Sequence, residues 1–375
     1  MNLFAWKDVD FSPQKVDSRQ LEKLEKLAKK IVSASKRPWT IMEVCAGQTR
    51  TMLEHKLDQI IPDNINLVHG PGCAICATPL SKIDKAIEIA QQEDVVFCCS
   101  GELLRLKGSR VDLLEIKAGG ADVRAVPSPL DCLALARSQP DKKFVFFTIG
   151  FETKAELNAL SVWQARRLGL KNFFLLSSIP LVVSVCNKVL KSGQSPVQGV
   201  LCPGEVCAVT GYSNYERVAR KYDVPIVVSG YEPVDLLEGL LACVKMLESG
   251  RTDIKNIFRR DVTRDGNKQA KALINDVFEM VDTDWRGIGI VENGAYSLKE
   301  EYAAYDADRA FPLTVESRPD ADFCIANQIL LGFKKPTDCP AFGKSCRPSD
   351  PQGSTMVSNQ GTCFTYYKFL HDQDH

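Results

Sequence analysis

The sequence predicts an α/β protein with two related parallel-sheet domains. Short apolar runs, each closed by a Gly or Pro bend, alternate with helical patterns over most of the chain. Continuous hydrophobic strands between helices are typical of parallel sheets covered on both faces. The length of 375 residues is sufficient for two or three domains. Two weak internal similarities, of "LVHGPGCAICA" to "VLCPGEVCAV" and of "IGFET" to "SGYEP", suggest that one α/β unit occurs twice.

Composition and charge argue against several classes of protein. Lys+Arg and Asp+Glu both number 47, so the basic excess of a nucleic-acid-binding protein is absent. The opening "MNLFAWKDVDFSPQK" lacks the apolar stretch of a signal peptide. The most apolar run, residues 173–186, is too short to span a bilayer and contains three serines and a proline. We therefore expect a cytoplasmic protein that binds neither nucleic acid nor membrane.

An amphipathic helix is predicted in the leading region, residues 1–38. Apolar side chains recur there at helical spacing behind a residue able to cap the helix. The apolar residues are Leu21, Leu24, Leu27 and Ile31, and the cap is Asp17 or Ser18. The pattern of strands and bends then predicts an α/β domain at 39–140, a second at 141–232 and a C-terminal domain at 233–375.

The bends that close the apolar runs are where we expect a ligand site. In parallel α/β sheets, ligands bind beyond the carboxyl ends of the strands. Several of these bends carry thiols or carboxylates, namely Cys45, Cys73, Cys76, Cys202, Glu205 and Glu232.

The chain is rich in cysteine, with 14 residues of this type. In a reducing cytosol, cysteine richness indicates metal binding or redox chemistry rather than disulfide staples. Free cysteine is also a small buried hydrophobe, however. We assign that structural role to five cysteines within apolar or amphipathic runs, which are Cys98, Cys99, Cys132, Cys186 and Cys243.

Cys73 and Cys76 form a C-x-x-C motif behind a Gly-Pro-Gly bend. This spacing allows a redox-active dithiol, half of a metal site or simple packing. A helix is predicted directly after the motif, with Pro79 at its first position. A thiol ahead of a helix N-terminus is favoured as the nucleophilic thiolate, which supports redox chemistry.

Four further cysteines lie in the Pro- and Gly-rich tail, at Cys324, Cys339, Cys346 and Cys363. They are separated by 14, 6 and 16 residues, whereas structural zinc sites usually combine two closely spaced pairs. Four thiolates from well-separated loops suit a [4Fe–4S] cluster at least as well. Four unrelated cysteines remain an alternative.

Cys45 stands apart, after the apolar run "TIMEV" and before "AGQTR". A cysteine between a strand and an Ala-Gly bend is sterically open. It could serve as a nucleophile or as a single metal ligand, and it could also be a packing residue.

Seven segments together resemble the HypD family of hydrogenase maturation factors. They are "IMEVCAGQTR", "HGPGCAICATP", "FFTIGFET", "CPGEV", "WRGIGI", "KKPTDCPAFGKSC" and "MVSNQGTC", and they extend from about residue 40 to 368. The resemblance implies two related α/β domains and a third domain with a [4Fe–4S] cluster, arranged around a central cleft. It also implies that a HypC-like small partner and a HypE-like cyanide donor help to assemble the Fe(CN)2CO unit of [NiFe] hydrogenases.

The resemblance assigns roles to matching residues. Cys45 matches the cysteine that holds the iron together with the N-terminal cysteine of the partner. Cys73 and Cys76 match a redox-active pair. The matching cluster ligands, which would pass electrons to that pair, are Cys324, Cys339, Cys346 and Cys363. A thiolate-rich site suits a soft, low-valent iron.

The chain departs from the usual family motifs near these cysteines. Gln48 and Arg50 stand in a motif that is typically Gly-Gly-His/Gln-Thr-His, and Glu205 replaces a histidine. Gln360 replaces a glutamate, and two tail cysteines common in the family are replaced by Ala326 and Thr355. Since histidine and glutamate carry protons near neutral pH, these exchanges predict altered proton handling. A guanidinium at Arg50 is expected to favour the Cys45 thiolate.

The sequence thus favours a HypD-type maturation factor, monomeric on its own, that serves as a redox-active scaffold for iron. One alternative is a paralogous iron–sulfur and dithiol protein that serves another iron centre or a disulfide substrate. Another is a binding protein in which the cysteines only assemble a metal-dependent partner surface.

Overall fold

A computed structural model describes residues 18–191 and 195–371. The chain divides into two units. The first contains residues up to Cys73, Val185–Asn267 and the chain from Asp322 on. The second contains Ala74–Ser184 and Lys268–Ala321. The predicted cap Asp17 lies outside the described residues.

The first unit contains a sheet in which all neighbouring strands are parallel. The strand order is β2-β1-β7-β8-β9. Its strands are β1 (Trp39–Glu43), β2 (Ile65–His69), β7 (Gly199–Pro203), β8 (Ile226–Ser229) and β9 (Ile254–Asn256). The side chains of β7 and β8 are buried throughout, as expected for a sheet covered on both faces.

The second unit contains a mixed sheet with the order β10-β11-β6-β5-β3-β4. Its strands are β3 (Val95–Cys99), β4 (Val123–Ala125), β5 (Lys143–Ile149), β6 (Phe173–Pro180), β10 (Phe278–Trp285) and β11 (Gly289–Leu298). Strands β3 to β6 are parallel, whereas β10 and β11 form an antiparallel hairpin that pairs with β6. The predicted α/β class is confirmed. The expectation of parallel strands is wrong for the edge of this sheet that β10 and β11 form.

Helices connect and cover the strands. They are α1 (Ser18–Ala34), α2 (Ala46–Glu54), α3 (Ala74–Ala77), α4 (Leu80–Ala90), α5 (Leu113–Ala118), α6 (Pro129–Ser138), α7 (Ala155–Leu168), α8 (Val182–Lys191), α9 (Gly204–Thr210), α10 (Ser213–Tyr222), α11 (Pro233–Glu248), α12 (Lys268–Val277), α13 (Ala307–Ala310), α14 (Ala326–Leu330) and α15 (Thr362–Tyr366). The described helices include none that is both long and apolar enough to cross a membrane.

The two units do not follow the predicted contiguous division at 39–140, 141–232 and 233–375. The chain leaves the first sheet after β2, builds four strands of the second sheet and returns at β7. Parallel strands need crossover connections, so a chain can leave a sheet and re-enter it beside an earlier strand. Residues from 322 on belong to the first unit and not to a unit of their own.

The predicted opening helix is confirmed as α1. Leu24, Leu27 and Ile31 are buried and pack with α11 in the core of the first unit. Leu21 is only partly buried, because it lies at the exposed margin of the apolar stripe. The five cysteines assigned to structural packing are all at most 2% exposed, which confirms their burial.

The carboxyl edge of the first sheet brings the predicted bends of this unit together. Cys45 follows β1, Gly72 follows β2 and Glu205 follows β7. The amide of Ala46 donates to the carbonyl of Gly72 at 3.0 Å. A Cβ at Gly72 would lie 2.6 Å from the backbone nitrogens of Ala46 and Cys45, so only glycine allows this approach.

The second unit contains a buried carboxyl group at the carboxyl edge of its sheet. Glu152, in the segment "IGFET", is 2% exposed. Its Oε1 accepts from the amide of Val182 at 2.9 Å, whereas Oε2 has no partner within the described part of the chain. Burial raises the pKa of Glu152 from 4.5 to about 7.

This raised pKa predicts that Glu152 lowers the stability of the fold as pH rises. Between pH 4.5 and 7 the unfolded chain ionises Glu152 while the folded chain keeps it neutral, so stability falls over that window. Glu152→Gln should therefore raise the free energy of unfolding at pH 8 by about 3 kcal/mol. The measurement is Tm between pH 4 and 8. The control is Glu156→Gln, which changes a half-buried glutamate on the following helix. Parallel curves of Tm against pH for Glu152→Gln and wild type would contradict the assignment.

Candidate functional site

Cys45 lies at the junction of β1 and α2, where it occupies the N-cap position with extended backbone angles, φ −144° and ψ 119°. Its side chain is 5% exposed and does not cap the helix. The thiol instead donates to Oε1 of Glu205 at 3.1 Å. The bend after β1 therefore directs the sulfur towards the bend after β7.

Electrostatics hold Cys45 as a thiol. Burial raises the pKa of Cys45 well above its usual range, and the charge and hydrogen bond of Glu205 and the charge of Glu43 add to that effect. The second oxygen of Glu205, Oε2, is buried without a hydrogen-bond partner in the described residues. Glu205 is therefore the group that contacts the thiol proton directly.

Glu43 is the last residue of β1 and is buried, with 1% of its surface exposed. Its Oε2 accepts from the amide of Cys45 at 2.8 Å. Its Oε1 accepts from the hydroxyl of Thr49 and lies 2.7 Å from Nδ1 of His69. Three donors thus satisfy a carboxylate that would be costly to bury alone.

His69 is the last residue of β2 and lies opposite Glu43 in the strand register. Its Nε2 lies 2.7 Å from the hydroxyl of Tyr366. A neutral imidazole with its proton on Nδ1 satisfies both contacts, because Nδ1 then donates to Glu43 and Nε2 accepts from Tyr366. Burial raises the pKa of Tyr366 well above its usual range, which keeps the hydroxyl protonated.

Gln48 lies on the first turn of α2 and is fully buried. Its Nε2 donates to the carbonyls of Gly230 at 3.1 Å and Ser229 at 3.4 Å, at the end of β8. Its Oε1 has no partner among the described residues. Gln48 thus ties the helix after Cys45 to a third bend of the same sheet edge.

Arg50 does not interact with Cys45 as expected. Its Nε donates to Oε2 of Glu54 at 3.0 Å, and 57% of the side chain is exposed. Position 50 is about 140° round the helix from position 45, so the Arg50 side chain does not face Cys45. It pairs instead with Glu54, one helical turn further on. The expected thiolate at Cys45 is corrected accordingly, since its pKa is raised by burial and two carboxylates.

The four tail cysteines belong to the first unit. Cys346 and Cys363 are buried, and Cys339 packs against the same small apolar cluster. Burial, with smaller contributions from the neighbouring Cys346, Cys324 and Cys339 and against the hydrogen bond from Thr355, raises the pKa of Cys363 to about 12. The other three thiols therefore lie within electrostatic reach of Cys363.

Hydrogen-bond donors point at two of these sulfurs. The hydroxyl of Thr355 donates to Sγ of Cys363 at 3.0 Å, and the amide of Gln352 donates to Sγ of Cys346 at 3.5 Å. Within the described ranges, His, Cys, Asp and Glu form no group of three or more that could hold one metal ion. A [4Fe–4S] cluster has a different requirement, because each cysteine binds a different iron. The donor set fits such a cluster.

Cys73 and Cys76 are disulfide-bonded. Both residues are buried, at 6% and 3% exposure. Cys76 lies in the short helix α3, and Pro79 is the N-cap of α4 and not its first residue as predicted.

Comparison with known proteins identifies the family. A family model named HypD, described as the hydrogenase formation hypA family, matches residues 20–370. The hydrogenase maturation factor HypD of Azotobacter vinelandii is 40% identical over 89% of this chain and 90% of its own length. The chain belongs to the HypD family of hydrogenase maturation factors.

Other relatives agree with this assignment. The HypD proteins of Cupriavidus necator and Escherichia coli are 37% and 36% identical, over 90% and 93% of this chain and 92% and 94% of their own. A conserved domain protein of Vibrio cholerae, similar over 72% of this chain and 98% of its own at 11% identity, has a TM-score of only 0.13 and does not bear on the fold. The resemblance predicted from the seven motifs is confirmed.

The remaining departures from the HypD motifs have different surroundings. Gln360 is exposed, and its amide donates to the hydroxyl of Ser358. Ala326 and Thr355 are buried, and the hydroxyl of Thr355 contacts Cys363 as described. Glu205 is the departure that directly contacts Cys45.

Three buried polar residues of the site were not predicted from the sequence, namely Glu43, His69 and Tyr366. Glu43 and His69 each end an apolar strand, and a charged or polar group in that position is a signal of a paired buried contact. Tyr366 follows Cys363 by one helical turn, but nothing local to it indicates a partner 297 positions away.

Proposed function

We propose that this chain is a redox-active scaffold on which the Fe(CN)2CO unit of a [NiFe] hydrogenase is assembled. The observation that carries the proposal is the buried Cys45 thiol at the carboxyl edge of a parallel sheet, donating to Glu205 in a chain of the HypD family. Sheet edges of this kind bind ligands, and a thiol is the ligand type that a soft iron prefers.

Cys45 is the proposed ligand of the iron substrate, together with a cysteine of a HypC-like small partner. Binding requires loss of the thiol proton, and the Glu205 carboxylate accepts it over a 3.1 Å hydrogen bond. The burial that raises the pKa of Cys45 keeps the free thiol unreactive until iron displaces the proton. A HypE-like partner is the proposed donor of cyanide.

The tail cysteines are the proposed ligands of a resident [4Fe–4S] cluster. The ligand set is Cys324, Cys339, Cys346 and Cys363. When bound, the cluster supplies electrons one at a time. The hydroxyl of Thr355 and the amide of Gln352 would stabilise the ligating thiolates of Cys363 and Cys346 by hydrogen bonds.

Cys73 and Cys76 are the proposed redox pair. Reduction of their disulfide breaks one S–S bond, takes up two electrons and two protons and leaves two thiols. A one-electron donor such as a cluster held by the tail cysteines would have to act twice. Reoxidation to the disulfide releases the same two electrons and two protons. The disulfide-bonded state of the pair and its position directly behind the β2 bend support this role.

The iron-ligand role predicts a specific loss for Cys45→Ala. Wild-type protein purified anaerobically with its small partner should show infrared bands of iron-bound CN and CO, and Cys45→Ala should lack them. Cys45→Ser should also lack them, because a hydroxyl is a harder and less acidic ligand. Cys243→Ala, which removes a fully buried core thiol, is the matched control and should keep the bands. Bands that survive in Cys45→Ala would refute the iron-ligand role.

The cluster proposal predicts that Cys346→Ala abolishes bound iron and sulfide. The visible absorption of the cluster should disappear, and the tail should become easier to proteolyse, because metal binding is coupled to folding. Iron and acid-labile sulfide are measured by chemical analysis after anaerobic purification. Cys243→Ala is again the control, and full iron and sulfide content in Cys346→Ala would exclude this ligand set.

A further inference from the structure

We propose that Glu43, His69 and Tyr366 form a positioning relay by which the cysteine-rich tail fixes the geometry of Cys45. The relay is a continuous chain of hydrogen bonds from α15, through the ends of β2 and β1, to the amide of Cys45. It gives a function to three buried residues that the proposed chemistry at iron does not itself use.

The centre of the relay is set by strand register. Glu43 and His69 are paired residues at the carboxyl ends of β1 and β2, which are parallel neighbours. Their side chains meet with 2.7 Å between Oε1 and Nδ1, and each is 1% exposed. Because both backbones belong to the sheet, neither side chain can move far without losing this contact.

The tail end of the relay is Tyr366. It lies on α15 three residues after Cys363, so one turn of helix separates the hydroxyl-bearing ring from a proposed cluster ligand. The hydroxyl lies 2.7 Å from Nε2 of His69, and the two rings meet edge-on with centroids 5.2 Å apart. A shift of α15 would therefore directly change the hydrogen bond between Tyr366 and His69.

The other end of the relay is the backbone of Cys45. Its amide has Glu43 Oε2 as acceptor at 2.8 Å, while the neighbouring amides of Val44 and Ala46 donate to backbone carbonyls. Thr49, one turn into α2, donates to the same carboxylate. The position of the Glu43 carboxylate thus fixes the bend that directs the thiol towards Glu205.

Burial makes these contacts effective for positioning. Removing one partner from a dry hydrogen-bond network leaves another group unsatisfied, which costs more than the bond itself. Loss of order in the tail should accordingly loosen the Cys45 bend. This inference rests on the proposed function only because the two sites that the relay connects, Cys45 and the tail cysteines, are the sites of that function.

Other charged groups surround the relay and must stay unchanged in a test. Asp58 and Asp338 act on Tyr366, Lys335 acts on Asp58, and Glu205 acts on Cys45. Substitutions that add or remove no carboxylate and no ammonium group leave this field in place. Tyr366→Phe meets that condition.

The test is the rate at which iodoacetamide alkylates Cys45 in the full-length, anaerobically purified protein, followed by mass spectrometry of the Cys45 peptide. Tyr366→Phe and His69→Leu should each raise the rate about fivefold, the opening expected from loss of one buried hydrogen bond. His69→Gln should stay within about twofold of wild type, because its amide offers a donor and an acceptor and can bridge Glu43 and Tyr366.

Tyr302→Phe is the matched control. Tyr302 is a buried tyrosine of the second unit whose hydroxyl donates to Asp276 at 2.7 Å, and its loss should not affect Cys45. Circular dichroism melts establish that each variant is folded. If Tyr366→Phe does not fold, the comparison of His69→Leu with His69→Gln still tests the positioning role. Unchanged alkylation in the relay variants, or equal acceleration in His69→Gln and His69→Leu, would overturn the positioning role. The infrared test of Cys45 can fail independently of this one.

Discussion

The buried carboxylate of Glu43 is the constraint on which the site depends. It ends the second strand from the edge of a parallel sheet, β1, and a lone charge there would be strongly destabilising. Three donors compensate it, and each comes from a different place: the neighbouring strand, the following helix and the backbone of Cys45. Satisfying one carboxylate therefore fixes the relative positions of β2, α2 and the proposed iron ligand.

The same arrangement meets two chemical demands that the proposed function places on Cys45. The thiol must stay protonated while it is free, and it must lose its proton when it binds iron. Burial and two carboxylates keep the free sulfur protonated, which protects a buried thiol from unwanted oxidation. In the proposed iron-ligand role, the carboxylate of Glu205 is the acceptor of that proton when iron binds. Glu205 stands where the HypD motif usually has histidine, so the proposed proton transfer at this sulfur would pass through a carboxylate in this chain. The replacement of histidine by Glu205 changes the residue that would carry the proton, but a group able to accept a proton is retained.

Local sequence patterns predicted much of this architecture. The α/β class, the helix α1, the burial of Cys243 and the position of Cys45 at a strand end follow from periodicity and bend residues. The interleaving of two sheets does not, because any apolar run can pair with several others and local patterns do not specify which. The antiparallel β10–β11 hairpin was missed for the same reason. The contact of His69 with Tyr366 spans 297 positions, and only tertiary structure brings them together.

Amide hydrogen exchange at Cys45 tests the central claim most directly. The Cys45 amide has no backbone acceptor in the described structure, and its partner is the Glu43 carboxylate, whereas the preceding amide of Val44 donates to the carbonyl of Leu201 at 3.2 Å. The account predicts that the Cys45 amide is protected in the wild-type protein and becomes fast-exchanging in Glu43→Ala, while Val44 stays protected. A Cys45 amide that exchanges at the same rate in both proteins would contradict it.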